Sequence, residues 1–171
     1  MLVISPNKCV GCRLCELVCS YKNFDEFNPI KSMIHVIGFE EMFSLPITCF
    51  HCEEPYCQEI CPANAITRDQ KSGAVQIIST KCIGCKMCVL ACPFGNIHFN
   101  SEKKIAQKCN LCDGNPECVN FCPTGALQML EDYDIGRQKK EFLHETLKKF
   151  YVEQAKENMI HDINNNMKND C

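Results

Sequence analysis

The sequence predicts an α+β fold in which short strands and short helices pack around cysteine-bound metal, followed by one long C-terminal helix. Three observations carry this prediction. Cysteine supplies 17 of the 171 residues, and sixteen of these fall into four groups of four. Short apolar segments of strand-like composition lie beside and between the groups. Residues 137–164 contain neither proline nor glycine, and apolar side chains recur there every three to four residues, as in an amphipathic helix.

Composition and charge exclude several classes of protein. The formal net charge is -3 at pH 7, which gives no basic face for nucleic acid. No run approaches the ~18 consecutive apolar residues of a membrane span. The residues before Cys9 lack the basic and apolar regions of a secretory signal. We therefore expect a cytoplasmic location, where thiols stay reduced and clustered cysteines usually bind metal.

The spacing of the cysteines is typical of iron–sulfur ligands. The first and third groups follow C-x2-C-x2-C-x3-C, the second C-x2-C-x4-C-x3-C and the fourth C-x2-C-x5-C-x3-C, and proline follows the last cysteine of all but the first. In the bacterial ferredoxin run with this spacing, the fourth cysteine binds the other cluster of a two-cluster module. The groups are Cys9, Cys12, Cys15, Cys19; Cys49, Cys52, Cys57, Cys61; Cys82, Cys85, Cys88, Cys92; and Cys109, Cys112, Cys118, Cys122.

Sixteen cysteines suffice for four [4Fe-4S] clusters of four thiolates each, and this is the predicted cofactor content. The alternative is four-cysteine zinc sites, which need two C-x2-C pairs but have no use for the third short step or the C-x3-C ending. Cys171, the one cysteine left over, is predicted to be a free thiol without function. We expect the chain without metal to be largely unfolded, because in so small a protein the clusters take the place of a core.

The spacers between the groups predict two nested bacterial-ferredoxin-like modules of two clusters each. Groups two and three are close in sequence, whereas groups one and four are far apart but are flanked by strands like the halves of a second module. The inner module is thus inserted into the outer one. The predicted parts are the outer module (residues 1–23 and 101–130), a structural insertion (24–46), the inner module (47–100), and the C-terminal helix and tail (131–171).

Short strands are predicted at both ends of the outer module, in the insertion and within the inner module. A short helix is expected between the third and fourth cysteine of each group. Apolar residues on these helices and beside the first cysteines are expected to form a shell around the clusters, among them Val10, Phe50, Ile83, Leu90 and Leu111. The predicted strand segments are residues 2–4, 34–39, 96–99 and 125–130, with two more around a turn within residues 65–77.

The four groups, their order and their Cys-Pro endings resemble the four-cluster iron–sulfur subunits of the dimethyl-sulfoxide-reductase type. This family includes small subunits of formate dehydrogenases, hydrogenase complexes, carbon monoxide dehydrogenase partners and tungsten aldehyde oxidoreductases. The resemblance covers residues 1–130. It implies these ligand sets: Cys9, Cys12, Cys15 and Cys122 for cluster 1; Cys49, Cys52, Cys57 and Cys92 for cluster 2; Cys61, Cys82, Cys85 and Cys88 for cluster 3; Cys19, Cys109, Cys112 and Cys118 for cluster 4.

Two further features refine the resemblance. The long insertions and the C-terminal membrane anchor of some larger members are missing, which favours the compact cytosolic branch, and all sixteen cysteines are present. Residues 27–36 resemble the small subunits beside tungsten aldehyde oxidoreductases more than those of formate dehydrogenases. The resemblance thus implies a large catalytic partner, with a tungsten or molybdenum aldehyde or formate type favoured, and a ferredoxin or second redox subunit as the other partner.

The predicted function is electron transfer, and no catalytic residue is assigned. The C-x3-C-x2-C run of radical enzymes, the G-x-G-x-x-G fingerprint and the phosphate-binding loop are all missing from the sequence. The alternatives are a free-standing polyferredoxin, which diffuses between enzymes, and an assembly subunit that forms filaments through residues 136–164. That helix could dock on its own module, on another subunit or on another copy. So many oxygen-labile clusters also suggest an anaerobe.

His51, inside the second cysteine group, is interpreted as a surface histidine or one that lies behind the ligands. Tuning of the neighbouring cluster is the alternative interpretation.

Overall fold

The computed structural model describes residues 1–39 and 43–130, and the predicted helix at 136–164 lies outside them. The described residues form four two-stranded antiparallel ribbons and four α-helices, a small α+β arrangement as predicted. The strands are β1 (Leu2–Ile4), β2 (Ile34–Phe39), β3 (Phe43–Thr48), β4 (Ile66–Arg68), β5 (Val75–Ile77), β6 (His98–Asn100), β7 (Ile105–Gln107) and β8 (Leu127–Met129). The helices are α1 (Leu14–Phe24), α2 (Tyr56–Glu59), α3 (Met87–Ala91) and α4 (Glu117–Asn120).

The first and last described strands pair with each other. Strand β1 runs antiparallel to β8 with Val3 opposite Gln128, and the backbone N–H of Ser5 extends the ladder by donating to the carbonyl of Ala126 at 2.8 Å. Leu127, on β8, is 2% exposed. The ribbon therefore brings the start of the chain beside residues more than a hundred positions later, and with it the first cysteine group beside the fourth.

Two ribbons lie in the middle of the chain. Strands β4 and β5 flank a turn in which the Asp69 carboxylate accepts hydrogen bonds from the Ser72 backbone and hydroxyl. Strand β6 falls in the predicted region, but its partner β7 was not predicted. The β6–β7 ribbon joins residues on either side of position 100.

The insertion contains a second strand that the sequence did not predict. Strand β3 pairs with β2 over six residues and runs to Thr48, two residues past the expected end of the insertion. Its Pro46 lies opposite Val36, and proline in a strand argues against a central position in a sheet. In a two-stranded ribbon both strands are edges, so the missing N–H of Pro46 can face away from the partner without breaking the ladder.

The helices are short and begin or end at the cysteine groups, as predicted. Three of them have four or five residues, and only α1 has eleven. The 3₁₀ turns Pro6–Lys8, Pro29–Lys31 and Leu111–Gly114 connect them to neighbouring loops. None of the helices within residues 1–39 and 43–130 has the length and apolar content of a bilayer-spanning segment.

Cysteine side chains belong to both groups of buried apolar residues. One group contains Cys15, Cys19, Met33, Ile34, Val36, Cys118 and Leu127, and the other contains Ile66, Val75, Cys88, Ile97 and Ala106. Four of the metal-ligand candidates are thus buried in the core, whereas Cys12 and Cys85 are exposed.

A buried carboxylate joins α1 to the insertion. Glu16 is 2% exposed, and its Oε1 accepts a hydrogen bond from the backbone N–H of Val36 at 2.7 Å. Its Oε2 lies 3.4 Å from the exposed guanidinium of Arg13. This bond holds β2 next to the first cysteine group. Glu16 thus fixes the insertion against the helix that carries Cys15 and Cys19.

We expect Glu16→Ala to release β2 locally, because a buried N–H without an acceptor costs ~1–3 kcal/mol. The backbone amide of Val36 should then exchange with solvent about tenfold faster or more, measured by hydrogen exchange on the metal-loaded protein. Glu16→Gln is the matched control, since its amide oxygen can still accept the bond. Equal exchange rates in the two variants would contradict this role of the carboxylate.

Candidate metal centres

Twelve of the sixteen cysteines line three separate cavities. Each cavity contains three cysteines of one group and the fourth cysteine of another group. We call these sites 1, 2 and 3. Site 1 is lined by Cys9, Cys12, Cys15 and Cys122, site 2 by Cys49, Cys52, Cys57 and Cys92, and site 3 by Cys61, Cys82, Cys85 and Cys88.

The remaining four cysteines lie close to one another, and we call them site 4: Cys19, Cys109, Cys112 and Cys118. Burial raises the pKa of the Cys118 thiol, and the neighbouring thiols of Cys109, Cys19 and Cys112 raise it further. Helices α1 and α4, which carry Cys19 and Cys118, pack together. Three cavities are thus lined by four cysteines each, and the four cysteines outside these cavities are neighbours of one another.

The sites follow one another through the molecule. Cys15 of site 1 lies near enough to Cys118 of site 4 to influence its pKa, and Cys49 of site 2 acts in the same way on Cys109 of site 4. Helices α2 and α3, which carry ligand candidates of sites 2 and 3, also pack together. The order of neighbours is thus site 1, site 4, site 2, site 3.

Left-handed backbone turns aim successive thiols into one cavity. Arg13 and Lys86, each directly after the second cysteine of its group, have φ of 58° and 64° and precede α1 and α3. Gly84 has φ of +71°, and a Cβ on it would collide with the backbone carbonyl oxygen of Lys104. At position 84, only glycine fits without moving the neighbouring loop.

Backbone N–H groups point at several of the thiol sulfurs. The N–H of Met33 donates to Cys19 Sγ at 3.3 Å, and that of Ala65 donates to Cys61 Sγ at 3.3 Å. Equivalent bonds reach Cys49 Sγ from His51 at 3.4 Å and Cys109 Sγ from Leu111 at 3.5 Å. Such donors stabilise the charged thiolate that binds metal.

Burial keeps several of the thiols neutral in the metal-free protein at pH 7. Burial, followed by the charge of Glu16, raises the pKa of Cys15 to about 12. Burial and then Cys82 raise the pKa of Cys88 to about 11, and burial raises that of Cys109 to about 11. Cys122 differs: burial opposes its ionisation, but hydrogen bonds from Leu127 and from Thr124 outweigh burial and lower its pKa.

These features fit a multi-iron cluster. Iron binding must displace the thiol protons, and the iron charge then compensates the buried thiolates. Each of sites 1 to 3 is lined by four cysteines, which is the number of ligands that a [4Fe-4S] cluster takes. Among the described residues, no group of three or more His, Cys, Asp or Glu side chains is arranged to hold a single metal ion.

Residues 40–132 match the 4Fe-4S dicluster domain family, and residues 6–22 match a 4Fe-4S binding domain. The chain belongs to the 4Fe-4S dicluster domain family. It is 41% identical to the polyferredoxin-like subunit of the aliphatic sulfonate oxidoreductase of Pyrococcus furiosus, over 71% of this chain and 70% of that protein. It is 34% identical to formate hydrogenlyase subunit 2 of Escherichia coli, over 81% of this chain and 85% of that protein.

Other relatives are much longer, and the chain spans 22% of the length of one from E. coli to which it is 37% identical. A chain of the solved active-site complex BamBC of benzoyl coenzyme A reductase aligns over 86% of this chain and 96% of its own length, with 21% identity and a TM-score of 0.42. The family and the names of the relatives make this dicluster protein an iron–sulfur, ferredoxin-type electron carrier.

The expected apolar shell is only partly present. Leu111 is 2% exposed, but Val10 and Ile83 line their cavities at the rim and are 69% and 67% exposed. Leu90 is 86% exposed and lines none of the three cavities. The prediction failed at Leu90 because the side chains of a one-turn helix point in different directions. An apolar side chain can therefore face away from the side of the helix that carries the cysteine.

One polar side chain beside site 2 was not assigned from the sequence. Lys108 is 7% exposed and lines the cavity, although lysine is rarely buried. Three lysines directly precede a cysteine group, namely Lys8, Lys81 and Lys108, and only Lys108 is buried. A lysine directly before a cysteine group is visible in the sequence, but this pattern does not distinguish the buried lysine from the two exposed ones.

His51 also lines site 2, which agrees with the second half of its interpretation and not with a surface position. Burial, and then the charges of Lys108 and Arg68, lower its pKa to about 3. The Arg68 guanidinium holds the surrounding loop by donating to the carbonyls of Cys52, of Glu53 at 3.2 Å and of Gly73 at 2.8 Å. The imidazole is therefore neutral at pH 7.

We expect Gly84→Ala to lose the iron of site 3, because the new methyl group collides with the Lys104 backbone. Gly95→Ala is the matched control: Gly95 has φ of +64° but nothing within 4 Å of the added Cβ. It should keep all its iron and lose only the ~1–2 kcal/mol of a left-handed alanine. Iron per chain after anaerobic reconstitution measures the difference, and equal iron contents would contradict the steric argument.

Proposed function

We propose that the chain is an electron-transfer subunit that relays single electrons through four [4Fe-4S] clusters, one in each of sites 1 to 4. A [4Fe-4S] cluster accepts and returns one electron without moving a proton or a group. The electrons pass between the metal cofactor of a catalytic oxidoreductase subunit and a ferredoxin-like protein. The chain itself supplies sixteen thiolates, the N–H donors around them and partial exclusion of water.

The observation that carries the proposal is the make-up of the cavities. A relay needs several clusters that are close together and fully ligated by protein. Sites 1, 2 and 3 each combine three cysteines of one group with a fourth from another group, which is how a two-cluster ferredoxin module shares its ligands. The contacts from site 1 through site 4 and site 2 to site 3 support a continuous path for the electron.

We further propose the nested division into an outer module (residues 1–23 and 101–130) and an inner module (residues 47–100), with an insertion at 24–46. The pairing of β1 with β8 and the make-up of site 1 support the outer module. The β6–β7 ribbon crosses position 100, so the two modules would share a ribbon rather than a flexible linker.

For the partner, we propose a tungsten or molybdenum oxidoreductase of the aldehyde or formate type, within the dimethyl-sulfoxide-reductase family of iron–sulfur subunits. The support is the resemblance of residues 1–130 to that family and the names of two relatives, a formate hydrogenlyase subunit and a subunit of an aliphatic sulfonate oxidoreductase. A cytoplasmic location stays a prediction.

The shared ligation of site 1 can be tested by counting iron in single and double variants. We expect Cys12→Ala and Cys122→Ala each to lose one cluster, and the double variant to lose no more than either single one, because both thiols hold the same cluster. The control double variant Cys12→Ala with Cys92→Ala should lose two clusters. If the Cys12 and Cys122 losses add instead, the two cysteines belong to different clusters and the pairing is wrong.

The partner can be tested by purifying the native complex without oxygen and measuring its metals. We expect a large second subunit together with iron and either tungsten or molybdenum. Nickel would point instead to a hydrogenase or a carbon monoxide dehydrogenase. A lone chain with about sixteen irons, the content of four [4Fe-4S] clusters, would contradict the subunit proposal and favour a diffusible polyferredoxin.

A further inference from the structure

Within residues 1–39 and 43–130, site 2 is the one site that a buried cation lines. The Nζ of Lys108 donates to the backbone carbonyl of Val75 and, at 3.1 Å, to that of Cys109. Both partners are neutral, and no carboxylate of residues 1–39 and 43–130 lies within 4 Å of this ammonium. A buried charge with no counter-ion is costly, so the ammonium favours negative charge in the cavity that it lines.

Site 2 also has a buried hydrogen-bond donor without an acceptor. His51 Nδ1 accepts a bond from the backbone N–H of Val75 at 3.0 Å. The proton of the neutral ring must therefore lie on Nε2. This nitrogen is buried and has no hydrogen-bond partner among the described residues. An unpaired buried donor is unfavourable, and a sulfur of a bound cluster would supply the missing acceptor.

The cations near the other sites are exposed or balanced. Arg13, at site 1, is 58% exposed and lies 3.4 Å from the Glu16 carboxylate. Lys86, at site 3, is exposed and stacks on the ring of Phe99. Lys22, near site 4, is exposed, and the Glu117 carboxylate opposes its effect on the Cys112 thiol. Water and salt screen exposed charges, so these cations act weakly on their sites.

We propose that Lys108 and His51 make the cluster of site 2 the easiest of the four to reduce. Reduction adds one negative charge to the cluster, and no bond breaks and no proton moves. A buried cation and an N–H donor to sulfur both stabilise the added charge and raise the reduction potential. The inference rests on the proposed function, because it requires a cluster in each site. An electron that enters at either end of the row then resides at site 2.

The first test compares reduction potentials of the reconstituted full chain in a redox titration followed by electron paramagnetic resonance. We expect Lys108→Met, which keeps the length of the side chain and removes its charge, to affect only the first cluster to be reduced. At a fixed solution potential its ratio of reduced to oxidised form should fall about tenfold, which is ~59 mV for one electron. The matched control is Lys81→Met, since Lys81 also directly precedes a cysteine group but is exposed. Its four potentials should stay unchanged.

The second test needs no substitution. With ¹⁵N-labelled histidine, the reduced cluster of highest potential should show a weak magnetic coupling to one histidine nitrogen through the Nε2–H bond. His51→Phe should abolish this coupling. A wild-type spectrum without the coupling, or with the coupling on a cluster that is reduced later, would overturn the proposal even if Lys108→Met fails to bind iron.

Failure of this inference can be distinguished from failure of the proposed function. If the wild-type chain holds fewer than four reducible clusters, the proposed function is wrong and the inference falls with it. If it holds four, but Lys108→Met leaves every potential unchanged or shifts only the potential of another cluster, the proposed function stands and only the role of Lys108 is wrong.

Discussion

The structure depends on one constraint: buried cysteine sulfurs must carry negative charge to bind iron, at positions where burial favours the neutral thiol. Burial raises the pKa of Cys15, Cys88 and Cys109 well above 9, so thiolates form there only if a cation takes the place of the proton. Iron supplies that charge. Because cysteines belong to both groups of core residues, the free energy of binding iron is also the free energy of packing this small chain.

The same constraint explains the long-range closure of the fold. Site 1 takes three thiols from the first group and its fourth from Cys122, and the β1–β8 ribbon holds these two parts of the chain together. A pairing across so many residues loses much chain entropy and forms slowly. Sites 2 and 3 draw on residues that are closer in sequence. Their closure therefore loses less chain entropy.

The sequence predicted the cysteine groups, the one-turn helices and most of the strands, because ligand spacing and short apolar segments are local signals. It missed β3, since Pro46 is typical of a strand boundary and not of the middle of a ribbon. It missed β7, whose three residues carry no pattern of their own. The burial of Lys108 was out of reach for a different reason: Lys8 and Lys81 occupy the same place relative to their cysteine groups, and only tertiary packing separates the three. Likewise, it is tertiary packing that pairs the backbone N–H of Val75 with Nδ1 of His51 and leaves the Nε2–H without an acceptor among the described residues.

We propose that each of the four sites holds one [4Fe-4S] cluster. Native mass spectrometry of the anaerobically purified chain tests it most directly, because the mass added to the polypeptide counts the iron and sulfide atoms of intact clusters. We expect one main species whose added mass equals four [4Fe-4S] clusters. A main species with two or three clusters, or one whose added mass equals zinc ions without sulfide, would contradict it.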